Sequence, residues 1–128
     1  MTLVLDSGGL SALAADQARL TLLRLRKAWP PQVPAVVLTE SLTGDHRRDF
    51  DVNRLLKSCQ IREVDETLAR SAARLRTSTG RAGTISATDA IVAAMALEKP
   101  NPVILTSDPK DMVALTAGSR KPVAIALA

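Results

Sequence analysis

Val103-Ile104-Leu105-Thr106-Ser107-Asp108-Pro109-Lys110-Asp111 is the stretch on which the reading of this chain turns. Three branched apolar residues without polar alternation read as a strand buried on both faces, the habit of parallel sheets. The residues after it start a helix: Asp108 suits an N-cap, Pro109 the first helical position and Asp111 the first turn. A buried strand that runs through an acid into a helix is one βα unit.

The same grammar recurs outward from it. Leu3-Val4-Leu5 ends at Asp6-Ser7, Val33 to Leu38 runs into Thr39-Glu40-Ser41, Ile61 to Val64 makes a short strand, and Val123 to Leu127 closes the sheet. Helical patterns lie between. One covers Leu10 to Leu13. A second runs through Leu20, Leu22, Leu23, Leu25 and Trp29 with Arg19, Arg24, Arg26 and Lys27 on its exposed side, and Pro30-Pro31 stops it. A charged stretch from Asp45 to Asp51 precedes a helix through Val52, Leu55 and Leu56. Leu68, Ala72, Ala73 and Leu75 mark another that ends near Gly80, with a Gly/Ser/Thr loop over 77–84. Ala87 to Leu97 is apolar on most sides and predicts a buried helix, ended by Pro100 and Pro102; Met112 and Leu115 carry a last short one. Alternating strands and helices predict an α/β sandwich around a mostly parallel sheet. With 128 residues and no repeat, low-complexity tract or linker, residues 1–128 read as a single domain.

Composition narrows the class. The chain is 46% hydrophobic and 23% charged, as soluble globules are. Trp29 and Phe50 are the only aromatics, too few for a stacking platform of the kind that reads single strands. Cys59 stands alone, so no internal disulfide forms. Met1-Thr-Leu-Val-Leu-Asp6 has neither a basic leader nor a long apolar run, which predicts a cytoplasmic protein with no signal peptide and no membrane span. Seventeen Lys and Arg against 13 Asp and Glu give a net charge of +4, a balance that suits an anionic partner without requiring one.

In open α/β sheets, function collects at the carboxyl ends of the strands. Asp6, Glu40 and Asp108 each come after an apolar run, and Asp89 lies in the opening turn of the Ala-rich helix; Asp111 is a possible fifth. Two such charges ~4 Å apart repel by on the order of 4 kcal/mol at an effective dielectric near 20, so a cluster persists only when protonated or cation-bound. Oxygen ligands without His or Cys select Mg2+ or Mn2+ over zinc. Each acid also has a plainer reading. Asp6-Ser7 and Asp108-Pro109 make good helix starts, Ser86-Ala87-Thr88-Asp89 resembles a capping box, and Glu40 suits a first turn. An aspartyl-phosphate phosphatase would need an acid where Gly8 stands, and Gly8-Gly9 does not supply a dinucleotide fingerprint.

Leu3-Val-Leu-Asp6-Ser-Gly-Gly-Leu, Leu38-Thr-Glu40-Ser, Thr88-Asp89-Ala-Ile-Val-Ala-Ala and Leu105-Thr-Ser-Asp108-Pro-Lys-Asp111-Met, in this order and spacing, resemble the successive motifs of PIN domains, most of all the VapC-type toxins of bacterial toxin–antitoxin systems. The likeness spans essentially the whole chain. It implies a PIN-like α/β/α sandwich with a five-stranded parallel sheet, an acidic site for Mg2+ or Mn2+, and cleavage of single-stranded or looped RNA by metal-activated water to 5′-phosphate and 3′-hydroxyl ends. Carried over by position, Asp6, Glu40, Asp89 and Asp108 are the catalytic and metal-binding quartet. Ser7, Thr106, Ser107 and Asp111 stand as their supports. Ser7-Gly8-Gly9 departs from the pattern, in which many members have Thr or Ser followed by Ser or Ala; the hydroxyl is kept, but loop geometry is put in question. The likeness also implies a cognate antitoxin and a homodimer. Arg47, Arg48, Arg70, Arg74 and Arg81 are candidate RNA contacts, weighed against a solvated face paired to Asp49, Asp51, Glu63 and Glu66. His46, without a paired acid at a defined spacing, reads as a surface residue. The competing reading is a non-catalytic PIN-like RNA- or protein-binding module whose acids are only caps.

Overall fold

The computed structural model describes residues 1–128. Five strands, β1 (Thr2–Leu5), β2 (Gln32–Pro34), β3 (Gln60–Arg62), β4 (Pro102–Thr106) and β5 (Ala124–Leu127), form one sheet in the order β3-β2-β1-β4-β5. Every neighbouring pair is parallel, as the uninterrupted apolar runs require. Seven helices connect them: α1 (Ser7–Ala14), α2 (Gln17–Leu25), α3 (Val37–Ser41), α4 (Phe50–Leu56), α5 (Glu66–Ser78), α6 (Ala87–Leu97) and α7 (Pro109–Thr116). Leu3, Val4, Leu5, Ile104 and Leu105 of the two central strands are buried and join Leu10, Leu13, Val92, Met95, Met112 and Leu115 in one continuous core. Each such aliphatic side chain contributes roughly 1.5–3 kcal/mol by leaving water. Ala90, Ala93, Ala94 and Ala96 are buried along α6 as well, and their small side chains let that helix pack closely on α5 and the sheet.

β3 ends at Arg62 and not at the expected Val64, α1 extends the expected Leu10 to Leu13 at both ends, and three further boundaries differ for physical reasons. The strand expected over Val33 to Leu38 ends at Pro34, and the chain turns into α3 at Val37. Pro34 offers no N–H for a further ladder bond, and a short apolar run carries no period to separate strand from helix. Glu40 therefore stands inside a helix and not directly behind a strand. The second helix stops at Leu25, well before Pro30-Pro31, because Lys27 adopts a positive φ of 58° that no helix continues through. The helix before Gly80 extends through Ser78 into the expected loop, and Gly80 itself takes φ 67°.

Candidate active site

The direction of winding reverses at β1, with β2 and β3 built on one side of it and β4 and β5 on the other. At such a point the connections leave a crevice outside the carboxyl ends of the two central strands. The register aligns Leu5 with Leu105, so Asp6 leaves β1 beside Thr106.

Asp6 is 4% exposed. One carboxylate oxygen accepts the Gly9 N–H at 2.7 Å, capping α1, and the other accepts the Thr106 hydroxyl. The Thr106 oxygen in turn accepts the Asp108 N–H at 2.9 Å, so a single buried hydroxyl ties the end of β1 to the loop after β4. The glycines make this possible. A Cβ on Gly8 would lie 2.0 Å from the Ser107 hydroxyl, and one on Gly9 would lie 2.1 Å from the Leu105 carbonyl oxygen. The first turn of α1 is pressed against β4, which is the physical reason for the Ser7-Gly8-Gly9 departure.

As the crossover helix leading into β4, α6 begins at the same edge of the sheet. Asp89 lies in its first turn, with its N–H bonded to the Ser86 hydroxyl at 3.0 Å. Carboxylate oxygens of Asp89, Asp108 and Asp111 lie within 4.8 Å of one another. Asp108 occupies the N-cap of α7, yet its side chain makes no capping hydrogen bond, and Pro109 behind it has no N–H to satisfy. Burial pushes the Asp89 carboxyl up to about 6; the Ser86 hydroxyl opposes the rise, and the negative charges of Asp6, Asp108 and Asp111 add to it.

Of the expected quartet, then, Asp89 and Asp108 come together and Asp6 stands within their electrostatic reach. Glu40 is exposed on α3, the short helix beside α1, and lies outside the three-carboxylate group. Asp111, expected as a support, is the third member. Its spacing of three from Asp108 places both on one side of a helix start, and that was the available signal. Arg81 reaches from the loop before α6 to Asp111 in the first turn of α7 at 3.0 Å, a pairing that no spacing along the chain foretells. Among the other candidate cations, Arg70 pairs with Glu66 at 2.8 Å on an open helix face, and Arg74 donates to the Ser71 hydroxyl at 3.2 Å. Exposed pairs of this kind contribute little. Cys59 donates weakly to the Leu55 carbonyl and burial pushes its thiol up to about 11, so it is no nucleophile at neutral pH.

The raised Asp89 value has a measurable consequence. In the unfolded chain an aspartate titrates near ~3.9, so folding without a cation is disfavoured once Asp89 must ionise. The penalty is absent below about pH 4 and complete above about pH 6. The full shift would correspond to ~3 kcal/mol, which partial exposure reduces to on the order of 1 kcal/mol. Denaturant melts in chelator are expected to show the protein losing about that much stability, relative to Asp89→Asn, between about pH 4 and pH 7.5. Parallel curves would mean that Asp89 is as well solvated as in the unfolded chain.

All the donors in the cluster are carboxylate oxygens, a set that fits a hard divalent cation. The fold and the site together define an α/β protein with an acidic crevice at the switch point of a parallel sheet. More specifically, the chain belongs to the PIN domain family, whose model matches residues 4–115, from β1 into α7 and across all five acids. PIN domains are generally nucleases. No curated protein sequence matches the chain. Among solved structures, it is similar to a chain of VapBC2 from Rickettsia felis bound to a DNA fragment from its promoter, at 17% identity and TM-score 0.71, covering 100% of this chain and 99% of that one. DNA-bound VapBC from Salmonella typhimurium gives 15% identity and TM-score 0.71, with 99% and 98% covered. FitAcB from Neisseria gonorrhoeae gives 19% and 0.64, with 97% and 96% covered. No helix is long and apolar enough to cross a membrane.

Proposed function

We propose that this chain, as one PIN-like domain, is a divalent-metal-dependent endoribonuclease and the toxin of a toxin–antitoxin pair. The observation that carries the reading is the meeting of Asp89, Asp108 and Asp111 at the strand edge where Asp6 is held. We assign Asp6, Glu40, Asp89 and Asp108 as the catalytic and metal-binding acids, with Asp111 beside them. Glu40, exposed on α3 and outside the three-carboxylate group, enters this set by its motif position alone. Bound there, Mg2+ or Mn2+ would supply Lewis-acid charge at the scissile phosphate and activate water for in-line attack. The chain's own residues do the positioning. Thr106 fixes the Asp6 carboxylate against the β4 loop, Ser86 fixes the start of α6 under Asp89, and Ser107 packs against Gly8 of α1; Ser7 is assigned as a support by its motif position.

RNA is negative and so is the crevice, which makes neighbouring cations necessary. Arg81 is the one seen in contact with the cluster, and half of its side chain is open to solvent. Arg81→Ala is expected to raise the KM for RNA about tenfold, the equivalent of ~1.4 kcal/mol, with a smaller change in kcat. An unchanged KM would remove Arg81 from the substrate path. Arg47, Arg48, Arg70 and Arg74 complete the proposed RNA contacts. The solved relatives VapBC and FitAcB support a bound antitoxin as partner, and a homodimer and a cytoplasmic site of action belong to the same reading.

The competing binding-module reading draws on Asp6 and Ser86, which do cap helices. Asp108 weighs against it, because its carboxylate caps nothing. The test is incubation of the purified chain with end-labelled RNA in Mg2+, Mn2+ or EDTA. Cleavage to 5′-phosphate and 3′-hydroxyl ends that EDTA abolishes is expected; intact RNA under all metals would favour the binding module.

A further inference from the structure

Between α3 and α4 the chain makes a loop in which Asp49 is turned inward. Asp49 is 4% exposed, and its carboxylate accepts the N–H groups of Thr43 and Gly44 and the Thr43 hydroxyl, at 2.8–3.0 Å. These bonds keep its carboxyl below the usual range. They also draw the start of α4 against the end of α3, and Gly44 takes the positive φ of 87° that the clasp needs. Asp45 likewise turns to the backbone, accepting the Arg47 and Arg48 N–H groups at 2.9 and 3.4 Å. Arg47, Arg48 and Lys57 are exposed with side chains in no ion pair or hydrogen bond, and the remaining acid, Asp51, is matched by Arg54 at 3.5 Å. Residues 45–57 thus carry four cations, Arg47, Arg48, Arg54 and Lys57, against three acids, and of the four only Arg54 is held in an ion pair.

In this segment stands Phe50, one of the two aromatics of the chain and 61% exposed. The Arg54 guanidinium lies 5.7 Å from its ring centroid, and with His46, Asn53 and Lys57 the two line an open groove of about 340 Å³. A large apolar ring left in water among cations suits a ligand that is both flat and anionic. A duplex offers phosphates but keeps its bases stacked inside; a single strand offers both.

We propose that this face is a docking subsite for single-stranded RNA, in which one unpaired base stacks on Phe50 with the Asn53 amide at its edge and the flanking phosphates lie on Arg47, Arg48 and Lys57. It rests on the ribonuclease reading for the choice of RNA over an acidic protein segment. The subsite serves the single-stranded or looped substrate that the family resemblance implies.

The test is fluorescence anisotropy with a labelled single-stranded 12-nucleotide RNA and a hairpin-free duplex of equal length, in EDTA. Phe50→Ala is expected to weaken single-strand binding about tenfold and leave duplex binding unchanged, while Phe50→Trp binds within about twofold of wild type and its added indole fluorescence is quenched by the RNA. Arg47→Gln with Arg48→Gln should lower the salt slope of binding by roughly 0.7 for each phosphate released. Equal single-strand affinity for Phe50→Ala and wild type overturns the proposal. So does loss of a protein partner in Phe50→Ala with RNA binding intact, which would assign the face to that partner. No metal or cleavage enters these measurements, so the subsite and the nuclease reading fail separately: binding lost in Phe50→Ala without any RNA cleavage by the wild type would strike only the latter.

Discussion

Asp89→Asn is expected to lower RNA cleavage by on the order of 10²–10³-fold while the metal-free variant melts a few degrees above wild type. The two effects share one cause. Asp89 is held partly out of water beside Asp6, Asp108 and Asp111, and this pushes its carboxyl up to about 6. Without a cation that arrangement costs stability, and an amide, which carries no charge, relieves it. Relief of about 1 kcal/mol corresponds to roughly 2–5 °C in a chain of this size. In the proposed chemistry the balance inverts with substrate bound, because the charge that was a liability would hold the cation; losing one strong electrostatic contact in a preorganised site is worth ~3–4 kcal/mol of barrier. Initial rates on labelled RNA and thermal melts in EDTA check both halves. A variant that keeps wild-type rates removes Asp89 from the chemistry, and one that melts lower than wild type contradicts the repulsion between the acids.

Gly9→Ala is expected to damage stability and activity together. Its methyl would lie 2.1 Å from the Leu105 carbonyl oxygen, and backbone on both sides leaves no flexible side chain to give way. Relieving such a clash costs about 1–3 kcal/mol. The same shift moves the Gly9 N–H that fixes Asp6, and misplacing a catalytic group by about 1 Å costs on the order of 10²-fold in rate. Gly83 has open space around it, so Gly83→Ala serves as the control and should leave both quantities unchanged. A Gly9→Ala protein with wild-type melting temperature and rate would mean that α1 does not need its close seat on β4.

The central fold was legible because burial on both faces leaves a coarse mark. Leu3-Val4-Leu5 and Val103-Ile104-Leu105 are apolar without alternation, and only a covered parallel sheet accepts them. Ala87 to Leu97 was legible to the residue, since Ser86 supplies the cap and a helix buried nearly all round needs no polar face. The run from Val33 to Leu38 was not, because six apolar residues spanning Pro34 serve a strand end and a helix start equally well. At the site, the order of acids along the chain pointed to Asp6, Asp89 and Asp108, and the family resemblance supplied their roles. The seat of Asp111 among the carboxylates, its pairing with Arg81 and the inward turn of Asp49 depend on loop geometry, which spacing does not encode. The same holds for Phe50: too few aromatics argued against stacking in general, yet its exposed ring beside Arg54 and Lys57 offers the one stacking position proposed.

The proposed chemistry depends on a hard divalent ion held by Asp89, Asp108 and Asp111, whose carboxylates crowd together without one. Thermal melting during titration with Mg2+ and then Mn2+, at pH 7.5, asks this directly. A saturable rise in melting temperature is expected for the wild type, following RT ln(1 + [M]/Kd), and it should vanish in both Asp89→Asn and Asp108→Asn. No metal-linked rise in the wild type, or an equal rise in the two variants, would contradict a metal site in the crevice.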